Sequence, residues 1–282
     1  MPSVEQTRAA YQKRVDAILA QITRRDEASI KEALKILRQF RRVAIDRFYA
    51  ARTESETVWF IRMQKAADEE VARLESLLMK ISNQSIDDMA DMGRRALEDP
   101  LRAAGYATGG ISGIDPNLIV AAKNYSADLI GLNSGGLAAD ALKRINSEIS
   151  LGILGQQPVQ TVIKNIASVI GDDSTLFTAA ERIFRTEGLT IASLAQQAAA
   201  VQANEIVPMV KTWVWSGVSR TTHEEADGQT VPVGEKFKIR NPNGGFDMAD
   251  YPRDPSLPPE QRINCGCAMA VEPDFEALEE AA

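Results

Sequence analysis

The chain contains neither proline nor glycine between residues 4 and 92. These two residues destabilise a helix interior most strongly, so their absence over this length favours long uninterrupted helices. Apolar residues recur there at spacings of three and four, which is typical of amphipathic helices. We interpret these apolar stripes as seams between packed helices. The stripes run through Tyr11, Val15, Ile18, Leu19 and Ile22, then Ile30, Leu34, Leu37, Ile45 and Phe48, then Trp59, Met63, Leu74, Leu78 and Ile81.

Glycine and proline divide the middle of the chain. Four glycines fall within residues 105–113 and indicate an irregular loop, because glycine permits backbone angles that other residues avoid. Asp115 followed by Pro116 is typical of a helix start, with aspartate as the N-cap and proline at the first helical position. Pro158 predicts the start of a further helix, and a capping run of polar residues precedes a long helix predicted over residues 176–206.

The residue composition and pattern of the sequence change after residue 208. Residues 211–215 are β-branched and aromatic, as strands are. Residues 231–239 alternate like a short hairpin, and residues 263–271 predict a closing strand. Residues 249–261 hold four prolines and predict an extended surface segment.

These patterns predict an α+β chain. A long-helix N-terminal region precedes a small C-terminal domain of one helix and an antiparallel sheet. The sequence divides into a helical docking region over residues 1–110, a helical connector over residues 111–175 and an α+β domain over residues 176–282. No apolar run reaches the roughly 20 residues that span a bilayer, so no membrane contact is expected.

Soft metal ligands are scarce and concentrated in the C-terminal part. His223 is the single histidine, and Cys265 and Cys267 are the two cysteines. Two thiolates and an imidazole form three quarters of a tetrahedral zinc site, which Asp227, Asp254 or a water could complete. The alternative interpretation is two small buried thiols beside a hydrogen-bonded histidine.

Three segments in fixed order carry a resemblance to a known family. The first is a helical segment that includes Arg-Thr-Glu at residues 185–187. The second is His-(x)3-Asp-Gly at residues 223–228, and the third is Tyr-Pro-Arg-Asp-Pro at residues 251–255, followed by Asn-Cys-Gly-Cys at residues 264–267. Over about residues 145–271 the chain resembles the phage Mu protein F-like family of head-morphogenesis proteins. The glycine between the cysteines departs from the family, which commonly has a basic or polar residue there.

The resemblance implies a non-enzymatic virion component present in few copies. Such a minor head protein associates with the portal protein or the major capsid protein, and some relatives are thought to contact packaged DNA. The resemblance therefore implies a role in head morphogenesis, with DNA packaging or ejection as a further expectation. The expected location is the head interior or the portal vertex, and the host cytoplasm during assembly. No small-molecule substrate is expected.

Four further motif residues are interpreted as structural: Arg185, Glu187, Arg220 and Asp254. Because Arg185 and Glu187 are two apart on a helix, they point to different faces and do not converge on one ligand. We expect a buried Arg185 to bond backbone carbonyls or Asp227 and so to hold the loop that carries His223.

Two alternatives to a structural role stay open. One is a cryptic hydrolase or transferase built on Arg185, Glu187 and the His223 loop, although no nucleophile with a recognisable turn accompanies them. The other is DNA binding through a basic N-terminal arm. Residues 1–65 hold 14 Lys and Arg against 8 Asp and Glu, whereas the rest of the chain holds 18 against 31. A solvated helical face explains the same surplus, since the charges are interleaved.

Overall fold

A computed structural model describes residues 4–217 and 221–280 of the 282-residue chain. Helices make up most of the described chain as far as residue 203. They are α1 (Val4–Ala50), α2 (Glu56–Ala103), α3 (Pro116–Ile130), α4 (Leu137–Ile153), α5 (Val159–Val169) and α6 (Thr175–Ala203). None of the helices within the described ranges combines the length and apolar character that a membrane span requires.

Short strands and short helices follow α6. They are β1 (Met209–Val214), α7 (Thr221–Glu224), β2 (Thr230–Pro232), β3 (Phe237–Arg240), β4 (Phe246–Ala249), α8 (Pro259–Arg262), β5 (Ala268–Pro273) and α9 (Phe275–Glu280). β1 is the central strand of an antiparallel sheet in the order β2-β1-β5, and Trp213 of β1 is opposite Met269 of β5. β3 and β4 form a separate antiparallel pair. The predicted α+β class is confirmed.

The strand pairing corrects one detail of the sequence interpretation. Residues 231–239 do not form one hairpin, because β2 pairs with β1 whereas β3 pairs with β4. The turn that does close a hairpin lies at residues 241–245, between β3 and β4. Gly244 and Gly245 both have positive φ there, a conformation that favours glycine.

Two predicted helix starts are confirmed. α3 begins at Pro116, and the Asn117 amide donates to Asp115 Oδ1 at 2.8 Å. α5 begins directly after Pro158. The break between α1 and α2 at residues 51–55 contains neither glycine nor proline, and the pattern of those residues alone did not predict it.

The chain forms two compact units that are discontinuous in sequence. Among the described residues, unit 1 comprises residues 4–27, 85–122, 185–217 and 221–280, and unit 2 comprises residues 28–84 and 123–184. Unit 2 has a single apolar core of helix side chains. The core of unit 1 combines helix side chains with the inward faces of both sheets. The predicted division into three consecutive segments stays a prediction, and the compact units follow a different grouping.

Candidate metal centre

Unit 1 brings the histidine and both cysteines of the chain together. His223 lies on the short helix α7, and the two cysteines lie in the segment that leads into β5. His223 Nδ1 is 3.4 Å from Cys265 Sγ and 3.5 Å from Cys267 Sγ. The three ligand atoms lie within 4.8 Å of one another, and each side chain is at most 1% exposed.

The spacing of these three atoms fits a tetrahedral metal. With Zn–S near 2.3 Å and Zn–N near 2.0–2.1 Å, neighbouring ligand atoms lie about 3.5–3.8 Å apart. The two nitrogen–sulfur distances, 3.4 and 3.5 Å, lie just below this range and at its lower end. Thiolate and imidazole ligands in such an arrangement favour zinc among the common divalent ions. The buried His223, Cys265 and Cys267 group could therefore hold a metal such as zinc.

Neither aspartate considered as a fourth ligand belongs to this group. Asp227 Oδ1 accepts a hydrogen bond from the Trp215 amide at 2.8 Å. Asp254 accepts from the amides of Asp250 and Ser256 through its two carboxylate oxygens. Both carboxylates stabilise turns, as aspartate commonly does beside glycine and proline. The role of Asp227 as a further metal ligand stays a prediction.

His223 is enclosed by side chains from several elements. Its Nε2 atom is 2.8 Å from Oε1 of Gln261, a fully buried residue of α8. The ring of Trp213 packs edge-on against the imidazole, with 5.5 Å between centroids. Trp213 is itself fully buried and packs in the core. The sequence interpretation missed Gln261, because a single glutamine carries no spacing signal.

Arg253 supports the segment that carries both thiols. Its guanidinium donates to the carbonyl oxygens of Cys265, Cys267 and Leu189 and to the hydroxyl of Ser193. The side chain is 2% exposed, and burial lowers the pKa of Arg253, while the neighbouring cysteines act in the opposite direction. One cation therefore connects α6 to the cysteine segment through charge-assisted hydrogen bonds.

The position of Arg253 overturns the prediction of an extended surface segment over residues 249–261. Tyr251, Asp254, Leu257 and Gln261 are also buried, and residues 259–262 form α8. Arg253 has a positive φ of 68°, which non-glycine residues rarely adopt. Proline is mostly found at surfaces, but here the buried guanidinium and its acceptors draw this segment into the core.

Arg253 fills the carbonyl-binding role that was predicted for Arg185. Arg185 lies on α6 and is one third exposed, with its Nε atom 3.9 Å from Asp26 Oδ2 of α1. Both residues belong to unit 1. The described ion pair of Arg185 therefore stabilises the contact between two helices. Arg220 lies outside the described residues.

Glu187 and its neighbour Thr186 also contact the region of the site. Burial raises the pKa of Glu187 to about 7, and the charge of Arg262 opposes that shift. Thr186 is buried, and its hydroxyl accepts a hydrogen bond from the Asn264 amide at 3.0 Å. Asn264 has a positive φ of 58° immediately before the first cysteine. The Arg-Thr-Glu motif thus reaches the cysteine segment through its threonine.

A cavity of about 300 Å³ lies in unit 1 beside Cys267. Ser193, Gln196, Ser216 and Arg253 contribute polar groups to its wall. Arg185 also lines it, whereas Glu187 and His223 do not. An active site built on all three residues would need them to face one space, and this cavity does not provide it.

Several basic residues of α1 are paired with acids within each unit. In unit 1, Arg8 pairs with Glu272 and Arg25 pairs with Asp88. In unit 2, Arg38 and Arg41 approach Asp172, and Arg47 contacts Glu69 and Glu70. This pairing supports the interpretation that the basic surplus belongs to helix packing, since a nucleic-acid surface presents clustered basic groups.

Comparison with known proteins gives one distant relationship. The chain is 32% identical over 97 residues to uncharacterized protein YqbB of Bacillus subtilis strain 168, and the match covers 33% of this chain and 30% of that protein. The chain thus spans under a third of the length of the curated relative. No protein family model matches the chain, and no solved structure matches it.

Proposed function

We propose that this chain is a structural minor head protein of a tailed bacteriophage, related to the phage Mu protein F-like family. It acts in head morphogenesis at the head interior or portal vertex and binds the portal protein or the major capsid protein. A zinc ion at His223, Cys265 and Cys267 holds its C-terminal module together.

One observation carries this proposal: the separate motif segments meet around a single buried centre. His223 comes from one segment, Cys265 and Cys267 from another, and Arg253 from the proline-rich motif between them. The helical Arg-Thr-Glu motif joins them through the bond from Asn264 to Thr186. Motifs that resemble those of a family by chance have no reason to converge in space.

The burial of the centre favours a structural role over catalysis. An enzyme must admit substrate to its reactive groups, and catalytic zinc sites keep an open ligand position. Here the imidazole and both thiols are almost fully buried. A metal that is enclosed by two small sheets and short helices would stabilise a module that has little regular structure of its own.

The helices of unit 2 supply the proposed docking surface. Tyr49 at the end of α1 and Val58 and Ile61 at the start of α2 are exposed apolar residues. The bond from Trp59 Nε1 to the Phe48 carbonyl, at 2.7 Å, fixes these two helix ends against each other. Apolar side chains that are exposed at the ends of two such helices are available to a protein partner.

Quantitative mass spectrometry of purified phage heads tests the structural role. We expect the chain at a fixed low ratio to the portal protein. Val58→Glu and Ile61→Glu together should reduce incorporation into heads, whereas Phe246→Glu, an exposed apolar site in unit 1, should not. Heads that assemble normally and contain none of the chain contradict the proposal.

The zinc assignment is tested separately on untagged protein purified without added metal. Inductively coupled plasma mass spectrometry should find close to one zinc per chain, and Cys265→Ser with Cys267→Ser should abolish it. Structural zinc sites usually bind the metal with high affinity, so zinc should remain bound during purification. Less than about one tenth of a zinc per wild-type chain contradicts the assignment.

A further inference from the structure

We infer that Gln261 positions His223 so that the imidazole presents Nδ1, and not Nε2, to the metal. The inference rests on the zinc site proposed above and assigns a role to a residue outside the ligand set. Gln261 is fully buried in α8, and it contacts His223 on the side of the ring away from the thiols.

The orientation of the Gln261 amide follows from its other contacts. Its Nε2 group donates to the Arg240 carbonyl at 2.9 Å and lies 3.4 Å from Asp247 Oδ2. A backbone carbonyl only accepts hydrogen bonds, as does an ionised carboxylate. A reversed amide would place its oxygen against both, so Oε1 must face His223.

The amide orientation determines which imidazole nitrogen carries a proton. Gln261 Oε1 can only accept, and it is 2.8 Å from His223 Nε2. The Nε2 atom must therefore carry a hydrogen. Nδ1 is then the nitrogen whose lone pair is available, and it is the atom that lies 3.4 and 3.5 Å from the two sulfurs.

The contact between Gln261 and His223 resembles the hydrogen bonds that support metal-binding histidines in known sites. A histidine that binds a metal through one nitrogen usually donates its other N–H to a carbonyl, a carboxylate or water, and loss of that partner typically weakens metal binding about 10- to 100-fold. Thr222 adds a weaker contact to the same oxygen, at 3.4 Å. Gln261 thus selects the ring form that can bind the metal before the metal arrives.

The single histidine of the chain makes the ring form directly measurable. Long-range proton–nitrogen correlation on untagged, nitrogen-15-labelled protein reports one imidazole, that of His223. We expect a proton on Nε2 both in chelator-treated protein and in zinc-loaded protein, with Nδ1 bonded to zinc in the latter. An unprotonated Nε2 in either state overturns the inference.

A pair of matched variants tests the energetic role of Gln261. Gln261→Met keeps the side-chain length and removes the acceptor, and it should weaken zinc binding about 10- to 100-fold in competition with a chelator. Gln229→Met is the control, because Gln229 bonds the backbone of Lys238 in the same unit without touching the centre. Equal zinc affinity in the two variants overturns the inference.

The two measurements separate this inference from the zinc proposal. Wild-type protein that binds no zinc but retains the Nε2 proton contradicts the zinc site and supports the assignment of Gln261. Zinc-loaded protein that coordinates through Nε2 contradicts the assignment and supports the zinc site. The wild-type spectra decide the ring form even where the Gln261 variant does not fold.

Discussion

The Arg253 guanidinium donates from Nη1 to the carbonyl oxygen of Cys265 at 2.9 Å, and the same nitrogen contacts the carbonyl of Cys267. The other guanidinium nitrogen, Nη2, bonds the Leu189 carbonyl and the Ser193 hydroxyl of α6. A single buried cation therefore sets the distance between α6 and the segment that carries both thiols. The planar fork of arginine suits this task, because lysine could not direct donors to both sides at once.

We predict that Arg253→Ala lowers the free energy of unfolding by about 3 kcal/mol or more, since several buried acceptors lose a charged donor. Arg240→Ala is the matched control. Its guanidinium pairs with Glu225 at the surface, and exposed ion pairs contribute about 0–1 kcal/mol. Urea unfolding followed by tryptophan fluorescence compares the two. Equal losses of unfolding free energy in both variants would contradict this structural role of Arg253.

Metal removal should destabilise the same unit. At a free zinc concentration about 1,000 times the dissociation constant, binding adds roughly 4 kcal/mol to the stability of the folded state. We therefore expect chelation to lower the melting temperature of wild-type protein in a way that added zinc reverses. The double variant Cys265→Ser, Cys267→Ser should melt at one temperature with and without chelator. A chelator effect that persists in this variant would place the metal elsewhere.

The sequence predicted the ligands of the candidate centre better than their supports. His223, Cys265 and Cys267 stand out because they are the soft ligands of the chain besides methionine. Arg253 acts by donating hydrogen bonds to backbone carbonyls, and Gln261 acts through the orientation of its side-chain amide. Neither role requires a particular spacing between residues, so the sequence pattern does not reveal it. Arg253 was visible only as one position of a proline-rich motif, which suggested a surface location instead.

The helices show the same division between what is encoded locally and what is not. Asp115 and Pro116 mark a helix start through their own chemistry, so that boundary could be predicted. At the break over residues 51–55, the Val58 amide donates to the Ser55 hydroxyl at 3.5 Å, and Trp59 Nε1 donates to the Phe48 carbonyl. The bond between Trp59 and the Phe48 carbonyl forms only after the helices pack, so the sequence of residues 51–55 does not predict it.

The raised pKa of Glu187 predicts a pH dependence of stability. Below its ordinary pKa of 4.5 the carboxyl is neutral in both the folded and the unfolded state, so it does not change the free energy of unfolding. As pH rises towards the folded pKa of about 7, the unfolded state ionises first and stability falls, and the loss is complete above pH 7. At about 1.4 kcal/mol per pKa unit, the full loss is roughly 3–4 kcal/mol.

Glu187→Gln should therefore be more stable than wild type at pH 8 and about equal to it near pH 4. Unfolding by urea at a series of pH values measures the difference. Glu205→Gln is the control, because Glu205 is exposed and such substitutions usually change stability by less than about 0.5 kcal/mol. A difference between Glu187→Gln and wild type that does not grow from pH 4 to pH 8 contradicts the prediction.

Gly93 allows the close approach of α2 to α6 within unit 1. A Cβ atom at Gly93 would lie 2.3 Å from the Ala192 carbonyl oxygen and 2.9 Å from the Ala195 side chain. In an exposed helix interior, replacement of glycine by alanine stabilises by about 1 kcal/mol. Here we expect Gly93→Ala to destabilise by about 1–3 kcal/mol, because the backbone of α6 must move to relieve the overlap.

Gly109→Ala is the control, since nothing lies within 4 Å of its added methyl and its φ is not positive. Thermal unfolding of both variants tests this, and a Gly93→Ala protein at least as stable as Gly109→Ala would mean that the two helices do not pack this closely.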